Sequence, residues 1–200
     1  MRRRILLSGG VSIDPTAGRR TIGDYEVVDL GLPSGLLWAT WNVGATEETD
    51  YGNLYMYGKG SRKYNESDSM YEGTEDPLAS TADTATQVMG SEWRMPTEDE
   101  LYELTANTKY EWVTDFNGSR INGCLFISKA NPKAYVFFPA AGARYNGINP
   151  SFRDDFYVWS STPFYSKRAF ILTINYRGVK ELSDYDRDHG YSVRGVHAAV

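Results

Sequence analysis

The residues best suited to chemistry in this chain are closely spaced carboxylates near its C-terminus. Asp184, Asp186 and Asp188 alternate, His189 follows directly, and Asp154 and Asp155 are adjacent. Alternating aspartates attract hard cations, as at the opening of an EF-hand loop. The glycine and the closing glutamate that such a loop needs are missing, since His189 and Gly195 stand at those places. Centres rich in thiols or imidazoles have little to draw on, since Cys124, His189 and His197 are the only such residues. A single thiol also excludes an intrachain disulfide and a cysteine-based zinc cluster. In the apolar run Cys124-Leu125-Phe126-Ile127, the thiol is expected to be buried and inert. His197 is expected to be exposed and idle, and His189 to lie either on a binding face or in a solvated loop. The expectation is a protein that is not an enzyme, with no catalytic residues, no metal and no cofactor.

What the C-terminal third does offer is a surface. Between Arg144 and Val196, the anchors Trp159-Ser160-Ser161-Thr162-Pro163 and Gly190-Tyr191-Ser192-Val193-Arg194 are separated by Tyr, Asn, Asp, Ser, Phe and Ile. Met and Gln are absent from this stretch and Glu181 is its lone glutamate, although the preceding part is rich in Glu. A codon varied at its first two positions and ending in a pyrimidine cannot encode Met, Gln, Glu, Lys or Trp. It can encode what crowds Tyr145 to Phe156, Phe164 to Ser166 and Ser183 to Asp186. Mutation at the adenines of Asn codons leaves this pattern, and binding is its natural purpose.

Bulk properties narrow the partners. Two hundred residues make one domain with some extra, and 41% hydrophobic residues suffice for a core. Tyr, the commonest aromatic with 15 copies, supplies contact area at low entropic cost. A net charge of −5 does not favour nucleic acid, which wants a basic footprint. No apolar run is long enough to span a bilayer. The start, Met1-Arg2-Arg3-Arg4-Ile5-Leu6-Leu7, has the charge of a signal peptide, but its apolar run breaks at Ser8-Gly9-Gly10.

The elements that must position this surface follow from punctuation and periodicity. Residues 1–23, broken by Gly9, Gly10, Pro15, Gly18 and Gly23, read as an N-terminal arm for attachment or oligomerisation. Residues 24–200 form the domain, with a variable region at about 144–190. Glu26–Leu30 and Leu36–Trp41 predict strands about a Gly31–Gly35 turn. A polar surface loop is expected over residues 58–80, and a short helix over Thr81–Met89. Thr97 and Glu100 predict a capping box, with Leu101, Leu104 and Thr108 on one helix face. Tyr110–Phe116 and Ile121–Ser128 predict a hairpin about Asn117-Gly118. Strands are expected at Tyr135–Phe138, Tyr157–Trp159, Ala169–Asn175 and Tyr191–Val196. Helices early, strands late and no βαβ alternation make the class α+β with a mainly antiparallel sheet.

Several strings resemble the Fibrobacter succinogenes major paralogous domain of gut Bacteroidetes. They are Val28-Asp29-Leu30-Gly31-Leu32-Pro33-Ser34-Gly35-Leu36-Leu37-Trp38-Ala39-Thr40, Asn42-Val43-Gly44-Ala45 and Tyr51-Gly52. Trp93-Arg94-Met95-Pro96-Thr97, Phe138-Pro139-Ala140-Ala141-Gly142, Trp159-Ser160-Ser161-Thr162 and Tyr191-Ser192-Val193-Arg194 follow in order. Family members often carry Cys where Trp41 stands. The resemblance implies a C-type lectin-like fold of the formylglycine-generating-enzyme branch with two short helices. That fold also carries the variable proteins of diversity-generating retroelements, phage tail receptor-binding proteins among them. The calcium and sugar strings of the sugar-binding lectins, Glu-Pro-Asn, Gln-Pro-Asp and Trp-Asn-Asp, do not occur in this chain.

The resemblance and the codon pattern imply a variable protein that binds a protein or glycan receptor on a cell surface. It would sit on a virion or cell surface, without inserting in the membrane, as a homo-oligomer or in a larger assembly held by the arm. The alternative is an undiversified adhesion or structural domain with a fixed ligand. Tyr145, Ile148, Ser151, Phe152, Asp154, Asp155, Phe156, Phe164, Tyr165, Thr173, Asn175, Asp184, Tyr185 and Asp186 are expected to share one solvent-facing binding surface. Trp38, Trp93, Trp159 and Val193 are expected in the core, with Arg94 or Arg194 held by a carboxylate or by carbonyls.

Overall fold

The computed structural model describes residues 5, 6 and 12–199. Its first strands are β1 (Ile5–Leu6), β2 (Ser12–Ile13), β3 (Arg19–Ile22) and β4 (Tyr25–Asp29). Past the Gly31–Gly35 turn come β5 (Leu37–Ala39) and β6 (Tyr55–Met56). Helix α1 (Thr84–Met89) is followed by β7 (Trp93–Arg94) and helix α2 (Glu98–Asn107). The chain continues through β8 (Thr108–Val113), β9 (Gly123–Ser128) and β10 (Tyr135–Pro139). It ends in β11 (Asp155–Phe164), β12 (Arg168–Asn175), β13 (Lys180–Asp186), β14 (Gly190–Tyr191) and β15 (Val196–His197). Every pairing between these strands is antiparallel, so the class is α+β.

The five-stranded sheet runs β3-β4-β5-β15-β7, and its last-made strand lies inside it. Val196 stands opposite Trp38 on one side and Arg94 on the other. The two-stranded pairs β1-β2 and β14-β6 and two three-stranded sheets, β10-β9-β8 and β11-β12-β13, complete the body. Between them and α2 lies the main core, where Trp38, Leu101, Leu104, Phe126, Phe138, Phe156, Leu172 and Ile174 meet. A second core gathers Tyr57, Met95, Trp159, Ala169, Ile171, Tyr191 and Val193. Sheet β11-β12-β13 feeds one face into each, because side chains alternate along a strand.

The local signals explain the helices. Thr97 Oγ1 accepts from the Glu100 amide at 3.3 Å, and the Thr97 amide donates to Glu100 Oε2 at 2.8 Å. Glu100 also receives both Arg94 guanidinium nitrogens, at 2.6 and 2.5 Å. The string before α2 thus clamps its first turn, where the helix dipole already favours a carboxylate. Helix α1 starts at Thr84 rather than Thr81. Asp83 caps it by accepting from the Thr86 amide, and its second oxygen takes the Met95 amide, each at 2.9 Å.

Three expectations need correction. Residues 1–23 are not a free arm throughout: Ile13 is fully buried, and β3 pairs along β4. The packed domain therefore reaches back to Ile13 at least, while residues 1–4 and 7–11 lie outside those described. Phe116 does not extend a strand. It sits in a single 3-10 turn, buried and stacked on Phe137 at 4.0 Å, so the hairpin connection is longer than Asn117-Gly118 alone. Of Tyr191–Val196 only the ends pair in strands, and Arg194 between them is buried. Its guanidinium donates to the carbonyls of Ala39 and Phe137 and to Asn42 Oδ1, over the Phe138 ring.

Candidate functional site

Strand register decides which side chains of the C-terminal third can meet a ligand. Asp155, Tyr157 and Trp159 stand opposite Asn175, Thr173 and Ile171; Ala169, Ile171 and Thr173 stand opposite Tyr185, Ser183 and Glu181. Directly opposed residues share a face. That face therefore carries Asp155, Tyr157, Asn175, Glu181, Ser183 and Tyr185 beyond the buried Trp159, Ala169 and Ile171. Phe156, Val158, Leu172, Ile174 and Leu182 turn the other way, into the core beneath α2.

The exposed end of the face is a run of rings. Tyr145 stacks on His189 with centres 4.5 Å apart, His189 leans on Tyr191 at 5.8 Å, and Tyr191 stacks on Tyr157 at 4.9 Å. Tyr185 stands edge-on to Tyr157 at 6.4 Å and to Tyr191 at 6.1 Å. Tyr191 is buried and joins this run to Trp159 at 4.6 Å, so the outer rings rest on core. Carboxylates surround them. The Tyr185 hydroxyl donates to Glu181 Oε2 at 3.1 Å and that of Tyr157 to Asp155 Oδ2 at 3.2 Å. Burial and then Glu181 push the Tyr185 phenol up to about 12, and burial raises those of Tyr157 and Tyr191. At neutral pH all three remain hydroxyl donors.

The loop of residues 144–154 adds a second rim. The Arg144 and Gly190 backbones exchange hydrogen bonds at 2.9 and 2.8 Å, and Tyr145 pairs with Ile148. Asn149 holds the loop base, accepting from the Ala143 amide and donating to the Ala141 carbonyl. Gly142 is required there: with φ +69°, a Cβ would fall 2.1 Å from Asn149 Oδ1.

The fourteen expected site residues do not share one surface. Tyr145, Ile148, Phe152, Asp154, Tyr165 and Asp186 are exposed, and Ser151, Asp155, Phe164, Asn175, Asp184 and Tyr185 are partly so. Phe156 is 1% exposed and Thr173 7%, and neither is a surface position. Phe156 is one residue out of phase with Tyr157 and packs on Phe138 at 5.2 Å. Asp184 stands opposite Phe170, on the reverse of the Tyr185 face, and Phe164 packs on Phe170 at 5.2 Å. Tyr165 caps the turn between β11 and β12. Tyr157, Glu181 and Ser183 join the site without a sequence signal that singles them out, and the buried Tyr191 supports it from beneath. Taking Val158 as core would place Tyr157 outward.

Trp38, Trp93, Trp159 and Val193 are buried as expected, and so is the Cys124 thiol, whose pKa burial raises. His197 is not idle at the surface: it is 5% exposed, edge-on to Trp93 at 5.1 Å, with Nδ1 beside the Ala198 carbonyl. Asp186, Asp188 and His189 bring ligand atoms within 4.8 Å of one another. This is the one such metal-ligating group among the described residues, and His189 Nδ1 already lies 2.8 Å from Asp188 Oδ1. No helix among the described residues is long and apolar enough to cross a membrane. Comparison with family models, with curated proteins and with solved structures gives no match.

Proposed function

We propose that the chain is a receptor-binding protein with a C-type lectin-like fold. Its C-terminal surface is diversified by a retroelement and captures a protein or glycan on a cell surface, from a phage tail or as an adhesin. The observation that carries this reading is the ring run Tyr145–His189–Tyr191–Tyr157–Tyr185, anchored on Trp159 and edged by carboxylates. Rigid aromatic anchors backed by core are what binding surfaces use to concentrate energy. Their hydroxyls supply orientation, and the loop of residues 144–154 supplies adaptable contact. The ordered motifs that resemble the Bacteroidetes family support the fold assignment, as does the two-helix, antiparallel architecture. Variable positions reduce to the exposed and half-exposed set, without Phe156 and Thr173.

The test is capture of candidate host cells by purified protein. A folded Tyr145→Ala/Tyr185→Ala variant should lose about ten-fold or more in affinity. Undiminished capture by that variant would reject this face. A fixed-ligand adhesion domain is the second reading, and the burial of Phe156 and Thr173 favours it, because a randomised codon cannot sit at a core position. The two are separated by the genome. Diversification requires a near-copy of the segment encoding Arg144–Val196 beside a reverse transcriptase, differing where the copy has adenine.

A further inference from the structure

A cleft of about 370 Å³ opens beside the ring run, lined among others by Tyr51, Lys63, Tyr64, Arg144, Asn149 and Phe152. Three of its lining residues, Tyr51, Tyr64 and Phe152, are aromatic. Phe152 tilts against Tyr51 with ring centres 4.9 Å apart, and the Tyr64 ring presses so closely on Gly190 that a Cβ there would lie 2.7 Å from it. Its charged lining groups are both cations. Among the described residues, no carboxylate comes within ion-pair distance of Lys63 or Arg144. Arg144 makes one long side-chain hydrogen bond, to the Gly147 carbonyl at 3.3 Å. Glu66 lies against Gly147, outside the lining. In a chain of net charge −5, the lining of this cleft carries two cations and no carboxylate, while Glu66 and Asp188 lie near enough behind it to act on the Tyr64 phenol.

We propose that this cleft binds an anionic saccharide unit. Arg144 and Lys63 hold its carboxylate, and the C–H face of its ring lies on the Tyr51–Phe152 pair. A bare inorganic anion would use the cations and leave the aromatic walls idle. A neutral sugar would use the walls and leave two cations without purpose. A carboxylated pyranose uses both, and the guanidinium fork suits a carboxylate in particular. Asn149 is spent on the Ala141 and Ala143 backbone and acts as scaffold. The inference adds a ligand to the binding role proposed above and stands on different residues, none of them in the ring run.

Titration calorimetry with methyl β-glucuronide, methyl β-glucoside and inorganic phosphate tests it. The glucuronide should bind about ten-fold more tightly than the glucoside, as a hydrogen-bonded charge is worth. Arg144→Gln and Lys63→Gln, both at exposed positions, should each remove most of that preference. Phe152→Ala should weaken glucuronide and glucoside alike. Tyr145→Ala/Tyr185→Ala should leave glucuronide affinity unchanged, which separates this site from the ring run. Equal affinity for glucuronide and glucoside would overturn the proposal. So would phosphate competing as well as the glucuronide, an unaltered preference in Arg144→Gln, or no binding of the glucuronide at millimolar concentration.

Discussion

The Arg187 guanidinium lies 4.7 Å from the centre of the Tyr57 ring, fully buried, in a sequence run that otherwise looks wholly solvent-facing. Its nitrogens donate to the carbonyls of Tyr71, Gly73, Tyr165 and Arg168 at 2.7 to 3.1 Å. One side chain thereby ties the β11–β12 turn to the long polar loop. Burial pulls the Arg187 pKa below its ordinary value. The carbonyls and the ring face favour the cation, so it stays charged at neutral pH. Replacing it by Met should leave several carbonyls without donors and cost about 3 kcal/mol or more. Lys, a point charge with fewer donors, should rescue little. Urea denaturation of both variants measures this.

Phe152 and Phe156 should behave as opposites although both lie in the variable stretch. Phe156→Ala empties a core position and should cost about 3–5 kcal/mol. Phe152→Ala removes an exposed ring and should stay within about 0.5 kcal/mol. Chemical denaturation of the pair separates them, and a similar cost for both would refute the β11–β12 register.

Trp159 is fully buried, and its indole nitrogen donates to the Tyr55 carbonyl at 2.8 Å. Trp159→Ala should therefore cost about 3–5 kcal/mol and lose binding only through lost folding. A variant that melts like the parent while failing to bind would contradict its role as an anchor.

Acid should loosen the start of α2. Burial alone would raise the Glu100 pKa, but the Arg94 fork and the Thr97 amide outweigh it and hold it below 4.5. A depressed carboxylate stabilises the fold above its unfolded pKa, and that contribution is lost as pH falls through the folded value. Stability should thus drop below about pH 4.5, and less steeply in Glu100→Gln. Thermal melts across an acid series show whether the slope changes.

Binding should not depend on a metal. The Asp186, Asp188 and His189 atoms lie close, yet Asp186 already faces the Arg168 guanidinium at 3.5 Å and Asp188 is engaged with His189 at 2.8 Å. Capture of cells in EDTA should match capture without it, and a loss restored by Ca²⁺ would make that cluster part of the site.

The legible parts of this fold are those where one residue type has one physical use. Thr97 and Glu100 announce a capping box, and Trp38, Trp93 and Trp159 announce a core. What escapes the sequence is phase. Phe156 and Tyr157 are adjacent aromatics, and only the pairing of Val158 with Leu172 shows which one points inward. Strand β13 gives little signal because Lys180–Asp186 offers only Leu182 and Tyr185 as apolar markers, being half-exposed on both faces. Arg187 is hidden because a charge between Asp186 and Asp188 signals solvent, and its four carbonyl partners are distant in sequence. Ser192–Gly195 looks like strand but serves as a threaded segment that delivers Arg194.

Val196, seated between Trp38 and Arg94, also sets an order of events. Strand β15 lies between β5 and β7 and follows both in the chain, so the two halves of that sheet keep open edges until it is made. Such a chain must close long loops late, which makes folding slow and the nascent state prone to edge pairing. Removing β15 should therefore expose the facing edges of β5 and β7 to pairing with other chains, a liability separate from the stability of the finished domain.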